Sequence, residues 1–161
     1  MKQLFIITLL ILIGCFSDKR NITTESKNIT DLNEIEKKNE IKKIKDVLFT
    51  QQTYWNNGDI DGFMRGYWNS EQLIFTSAEH KPTYGWKNTL EMYKRNYPTR
   101  YSMGEFRFDI LDVNLTSNTT ADLNGKWELI RIADQPKGRF WLILKKFDEN
   151  WLIIKDSTTS F

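Results

Sequence analysis

A single cysteine, a single histidine and three prolines in 161 residues exclude several kinds of chemistry at once. One cysteine cannot close an internal disulfide or build a cysteine-based zinc site. The lone histidine, His80, lies in the polar stretch "SAEHKPTY", where it reads as a surface residue rather than a base. Charge of one sign is missing too: 23 basic against 21 acidic residues leave a net charge of +2, and nothing argues for a nucleic-acid partner. No glycine-rich phosphate loop, nucleophile motif or ligand cluster implies a cofactor or a metal. What the chain does have is rings. Aromatic residues make up 14%, with six Trp, and large rings fill small cores and line pockets.

The first 15 residues, "MKQLFIITLLILIGC", join a basic Lys2 to an apolar run from Leu4 to Ile13 and a small Gly14. That is the layout of a secretory signal, and the run is too short for a stable membrane span. Leu12-Ile13-Gly14-Cys15 resembles the lipobox of bacterial lipoproteins. The resemblance implies cleavage after residue 14, a diacylglycerol on Cys15, and a place in the bacterial cell envelope, anchored to a membrane without spanning it. Residues 15–39 then read as a polar tether, rich in Lys, Glu, Asn, Ser and Thr. About 20 such residues reach roughly 25 Å. Asn21-Ile22-Thr23 and Asn28-Ile29-Thr30 match a glycosylation pattern and are read as chance in an Asn-rich chain.

The folded domain is expected over residues 40–161, beginning near Ile41, or earlier if Asp31 caps the first helix. Ile41, Ile44, Leu48 and Trp55, with Val47 and Tyr54 beside them, recur at helical spacing. In "YWNNGDIDGFMRGYW", Asn57-Gly58 suits a helix C-terminus, and Asp59 suits the N-cap of a second helix carrying Ile60, Phe63, Met64 and Tyr67. Asp59 and Asp61 therefore read as cap and surface rather than a catalytic dyad. A short strand, Leu73 to Ser77, precedes a third helix with Trp86, Leu90, Tyr93 and Tyr97 on one face, ended by Pro98. Four strands follow, Glu105 to Leu115, Ala121 to Ile132, Arg139 to Phe147 and Trp151 to Ser160, separated by turn residues. Helices before an antiparallel meander give an α+β fold.

The order of "W-N-x-G-D", an "LIF" strand, a "G-W" helix ending in "Y-P", then "F-x-F", "G-x-W-x-L", "F-x-L-I-x-K-K" and "W-x-I-I-x-D" resembles the nuclear transport factor 2-like superfamily, in particular SnoaL-like domains. The resemblance covers roughly residues 40 to 161. It implies a cone-like curved antiparallel sheet wrapped around a helix hairpin plus a third helix, with an apolar pocket at the open end. It also implies pairing of two copies through their sheets.

Catalytic residues of that superfamily carry over poorly. The position of the ketosteroid isomerase base falls near Phe75 or Thr76, and that of its oxyanion acid near Ile143; neither is acidic. The "D-H-x-S" ending common among SnoaL-like relatives is Asp156-Ser157-Thr158-Thr159 here, without the histidine. The expected pocket residues are Trp55 and Tyr67 as a roof, Trp127 and Trp141 facing them from the sheet, and Phe75, Trp86 and Tyr93 at the sides. Arg131 continues the face of Ala121, Leu123, Trp127 and Leu129, either as the charged group inside the pocket or at its rim. Asp156 is the remaining candidate for a polar group inside. Apolar residues on both faces of Phe140 to Leu144 and Trp151 to Ile154 point to a homodimer surface. Three functions fit: a membrane-tethered pocket binding a small apolar or amphipathic molecule without turnover; a lyase, isomerase or hydrolase using a pair such as Asp156 with Tyr93 or Arg131; and a homodimeric association module.

Overall fold

The structure, a computed structural model, describes residues 19–78 and 80–161. The signal segment 1–14 and Cys15 lie outside the described residues. The chain divides into two units, residues 1–35 and 36–161. Helix α1 runs Lys19–Asn56, so it begins well before Ile41, and Asp31 lies within it instead of at its N-cap. The stretch expected as a tether is helical from residue 19 because its many Lys and Glu are good helix formers even without an apolar face. Its side chains from Asn33 to Asn39 are all exposed.

Burial starts with the amphipathic part. Ile44, Leu48, Gln51 and Trp55 are buried along one face of α1. The helix stops at Gly58, whose φ of +79° is open to glycine at little cost. Asp59 then caps α2 (Ile60–Phe63), its Oδ1 accepting from the Gly62 N–H at 2.7 Å. A 3-10 turn, Met64–Gly66, follows. Strands β1 (Ile74–Ser77) and β2 (His80–Tyr84) form a hairpin before α3 (Trp86–Asn96) and a short α4 (Arg100–Met103). Four long strands complete the chain: β3 (Glu105–Ser117), β4 (Thr120–Ile130), β5 (Lys137–Phe147) and β6 (Asn150–Ser160).

The result is an α+β fold in which a curved six-stranded sheet of order β2-β1-β6-β5-β4-β3 carries the helices. One expectation changes: the sheet is mixed rather than wholly antiparallel, because β1 lies parallel to β6. Strand β2 and helix α4 add to the elements expected. β2 escaped notice because His80 to Tyr84 has no apolar alternation; it is an edge strand with a mostly exposed face. Its Pro82 is tolerated there for the same reason.

Alternation sorts the two sheet faces. Gly138, Phe140, Leu142 and Leu144 of β5 are buried, whereas Lys137, Arg139, Trp141 and Lys145 are exposed. Trp141 therefore points away from the helices, 56% exposed, and not toward the roof as expected. The core beneath the helices collects Ile44, Leu48, Trp55, Phe63, Met64 and Leu73 with Leu123, Leu129, Leu144, Trp151 and Ile153. Among the described residues no helix is long and apolar enough to cross a membrane.

Candidate functional site

The inner sheet face continues past the core into a cavity of about 220 Å3. Cross-strand register builds its wall in rows. Leu123, Leu142, Asp156 and Phe75 stand side by side on β4, β5, β6 and β1. The next row is Gly125, Phe140, Thr158 and Ser77, and the third is Phe108, Trp127, Gly138 and Ser160. Helices close the other side with Leu48, Gln51 and Trp55 of α1, Phe63 of α2, and Met92, Tyr93 and Asn96 of α3, with Tyr97 just beyond it.

Asp156 reaches this wall through an irregularity. From Trp151 and Ile153, both buried, plain alternation would bring Lys155 inward and leave Asp156 outside. Between Ile143 and Leu144 the register shifts, with Ile143 opposite Lys155 but Leu144 opposite Ile153, leaving Ile154 as the extra residue of a bulge. The bulge turns Asp156, Thr158 and Ser160 to the inner face.

Asp156 is 6% exposed. Its Oδ2 accepts a hydrogen bond from the Tyr67 hydroxyl at 2.6 Å, and the Tyr67 and Tyr93 oxygens are 3.2 Å apart. Because Tyr67 gives its only proton to the carboxylate, Tyr93 is the donor in the second bond, and the chain runs Tyr93 to Tyr67 to Asp156. Burial pushes the Asp156 carboxyl up to about 6, opposed by the bond from Tyr67. Both phenols are driven well above their usual range, first by burial and then by the negative charge of Asp156, so they stay protonated donors. Oδ1 accepts no hydrogen bond from the described residues. Two further polar atoms on the wall, Ser77 Oγ and Trp127 Nε1, are buried without a partner among the described residues. Gly138 lets the Thr159 carbonyl of β6 and that indole come close: a Cβ there would collide with the Thr159 oxygen and approach Trp127 Nε1 to 2.8 Å.

A solved structure shares this architecture and much of the sequence. An NTF2-like protein of unknown function from Shewanella oneidensis MR-1 is 40% identical over 74% of this chain and 98% of its own, with a TM-score of 0.72. The chain belongs to the NTF2-like family. More distant structures share the fold alone. A domain with a cystatin-like fold from Nostoc punctiforme PCC 73102 is 18% identical over 73% of this chain and 75% of its own, at a TM-score of 0.63. A ketosteroid isomerase-like protein from Erwinia carotovora atroseptica SCRI1043 is 16% identical over 73% of this chain and 93% of its own, at 0.61. No family model and no curated protein matches the chain.

Within this NTF2-like fold, six of the nine residues expected at the pocket line the cavity: Trp55, Tyr67, Phe75, Tyr93, Trp127 and Asp156. Three do not. Trp86 packs on the core from the start of α3 and donates its Nε1 proton to the Met64 carbonyl at 2.9 Å. Arg131 lies just beyond β4, where its guanidinium holds Asp134 at 2.6 and 2.8 Å and the Ser102 carbonyl at 3.1 Å, bracing a turn. Trp141 is on the opposite face. Ser77, Phe106, Phe140 and Thr158 join the wall without having been singled out. Alternation from Leu142 would have found Phe140; Ser77 and Thr158 depend on the parallel pairing of β1 with β6, which leaves no sequence pattern. His80 stands at the edge, opposite Ser77. Among the described residues no group of three or more His, Cys, Asp or Glu could hold a metal ion.

Proposed function

We propose that residues 40–161 of this NTF2-like chain form a pocket for a small apolar or amphipathic molecule, displayed in the bacterial envelope from a lipid on Cys15. The observation that carries the reading is an aromatic-walled cavity of about 220 Å3 whose inner wall holds a buried carboxylate with one oxygen unpaired among the described residues. The volume is below the roughly 300–1,000 Å3 of drug-sized sites, which favours a small ligand. The unpaired Ser77 Oγ and Trp127 Nε1 favour a ligand with polar atoms of its own. Native mass spectrometry of protein purified without denaturation tests this: a retained small molecule, lost on unfolding, is expected. An empty protein that also fails to bind any member of a fragment library ends the reading. For the anchor, Cys15→Ser is expected to release the protein from the membrane fraction.

A second reading, proton transfer on a bound substrate, is favoured by one arrangement. Asp156 stands directly across from Phe75, one of the two positions, Phe75 or Thr76, near which the superfamily resemblance places a base, and its pKa of about 6 suits a carboxylate that takes and returns a proton near neutral pH. Tyr67 and Tyr93 would then position the carboxylate. Turnover of the retained molecule, abolished by Asp156→Asn, distinguishes this reading from binding alone. Pairing of two copies through the outer sheet face is supported by exposed Trp141 and Leu111 there. Sedimentation is expected to give a dimer at micromolar concentration, with Trp141→Glu a monomer.

A further inference from the structure

The cavity's charge is one-sided. Among the described residues that line it, Asp156 is the one carboxylate, no Lys or Arg is present, and the other titratable groups are Tyr67, Tyr93, Tyr97 and, at the edge, His80. Buried carboxylates are normally met by a cation or by several donors. Asp156 has one phenol on Oδ2 and makes no ion pair among the described residues, while Oδ1 stays open. The surrounding wall is built largely of rings, and the faces of aromatic rings carry negative electrostatic potential. Such a cavity repels carboxylates and phosphates, tolerates neutral molecules, and favours a cation. The phenols of Tyr67 and Tyr93 reinforce the choice: one proton is committed to Asp156 and the other to Tyr67, so neither serves a ligand anion, while Trp127 Nε1 and Ser77 Oγ are left to meet a neutral polar atom of the ligand.

We propose that the pocket selects a protonated organic amine, its N–H donating to Asp156 Oδ1 and its apolar part lying among the rings of Trp55, Phe75, Tyr93 and Trp127. This inference rests on the pocket reading and deepens it by naming the ligand class. The ammonium supplies the countercharge that the described residues do not, in a charge-assisted bond of about 2.7–2.9 Å. Ring faces from α1, α3 and the sheet replace part of its hydration shell.

Three probes of one shape test it: benzylamine, cationic at pH 7.5, benzyl alcohol, neutral, and benzoate. By calorimetry on the purified protein, benzylamine is expected to bind at least about tenfold more tightly than benzyl alcohol, and benzoate not at all. Equal or tighter binding of the alcohol, or any preference for benzoate, overturns the inference and leaves the pocket standing. If none of the three binds, the inference falls; the pocket itself is then judged by the native mass spectrum. The amine needs ionised Asp156, which is protonated below about 6. Lowering the pH from 7.5 to 5 is therefore expected to weaken benzylamine about tenfold and leave benzyl alcohol unchanged. His80 is the other ionisable side chain that could respond to pH at the cavity edge, so His80→Gln is expected to keep this pH dependence and Asp156→Asn to remove both it and the preference for the amine. Should Asp156→Asn fail to fold, the pH series on the unaltered protein and on His80→Gln decides: an amine affinity indifferent to pH overturns the inference.

Discussion

Glu40 and Asp156 are both carboxylates held between helix and sheet, and their surroundings drive their protons in opposite directions. Glu40, on α1, accepts from Trp151 Nε1 at 2.7 Å and Lys43 at 2.9 Å, and pairs with Lys146 at 3.1 Å. Burial alone would raise its pKa, but those three donors outweigh it and hold the group at about 2. Asp156, with a single phenol, is left at about 6. A carboxylate whose job is to fasten one element to another has its lone pairs filled by the protein. One with an oxygen left open in a cavity is unfinished as structure, and this is what makes Asp156 the functional candidate.

The largest effect expected from breaking that contrast is on Asp156. Its folded pKa is raised from 3.8 to about 6, so the favourable contribution of the protonated form is fully present below about 4 and is lost as pH rises through about 6. A rise of that size corresponds to a cost of at most about 3 kcal/mol at neutral pH. Asp156→Asn keeps an acceptor for Tyr67 and removes the charge. Urea unfolding at pH 7.5 is expected to show a gain of about 1–3 kcal/mol, shrinking to nothing below pH 4. A loss of stability at pH 7.5 would mean that the charge is compensated by something other than Tyr67.

Glu40→Gln is expected to act with the opposite sign. Its pKa is depressed from 4.5 to about 2, so its contribution is present above about 4.5 and disappears as pH falls toward 2. Lys43 is 44% exposed and its share is largely screened by solvent, so a small loss of stability at pH 7 is expected, carried mainly by Trp151 and Lys146. Unfolding curves of the two proteins should converge near pH 2. Equal stability at pH 7 would show that the clamp contributes nothing.

The clamp and the cavity were not equally legible in the sequence. Helical spacing, alternation and continuous apolar runs located α3 and the four long strands nearly to the residue, because turn residues or Pro98 bound each of them. The Asn57-Gly58-Asp59 junction was equally readable, since its chemistry is local. What escaped notice depends on pairing between distant segments. Trp141 sits in the run Phe140 to Leu144, apolar at every position, where alternation gives no side; only pairing with β4 and β6 turns Phe140 and Leu142 inward and Trp141 outward. The side taken by Asp156 depends on a bulge at Ile154 that no residue type announces. Arg131 followed the inner face by counting, but β4 ends at Ile130, and the turn that follows gives the guanidinium Asp134 instead. Glu40, the first residue of the expected domain, carried no signal of its own, and its partners Lys146 and Trp151 lie far along the chain on β5 and β6.

A smaller test uses the one donor that Asp156 has among the described residues. Tyr67→Phe removes the hydrogen bond that lowers the Asp156 pKa, so the carboxyl should titrate above its present value of about 6. Carbon-detected NMR of the carboxyl through a pH series reads this directly. The stability cost should be about 1 kcal/mol, because the ring still fills its place. A pKa that stays put or falls would mean that Tyr67 does not donate to Asp156 and that the proton chain from Tyr93 is drawn in the wrong direction.

The smallest effect concerns the helix upstream of the clamp. Side chains from Asn33 to Asn39 are exposed, and Ile35 is 54% so, whereas Glu40 is the first from Asn33 onward whose side chain reaches the sheet. Deleting residues 16–38 leaves Glu40, Ile44, Leu48 and Trp55 in place, and thermal unfolding should shift by no more than about 1–2 °C. Extending the deletion through residue 41 removes Glu40 and should lower the midpoint by several degrees, in line with the loss expected for Glu40→Gln. If the shorter deletion already costs several degrees, the upstream helix contributes to the fold and the clamp is not where the domain's stability begins. If neither deletion matters, the three donors around Glu40 order a side chain without stabilising the chain, and the contrast with Asp156 would rest on the cavity alone.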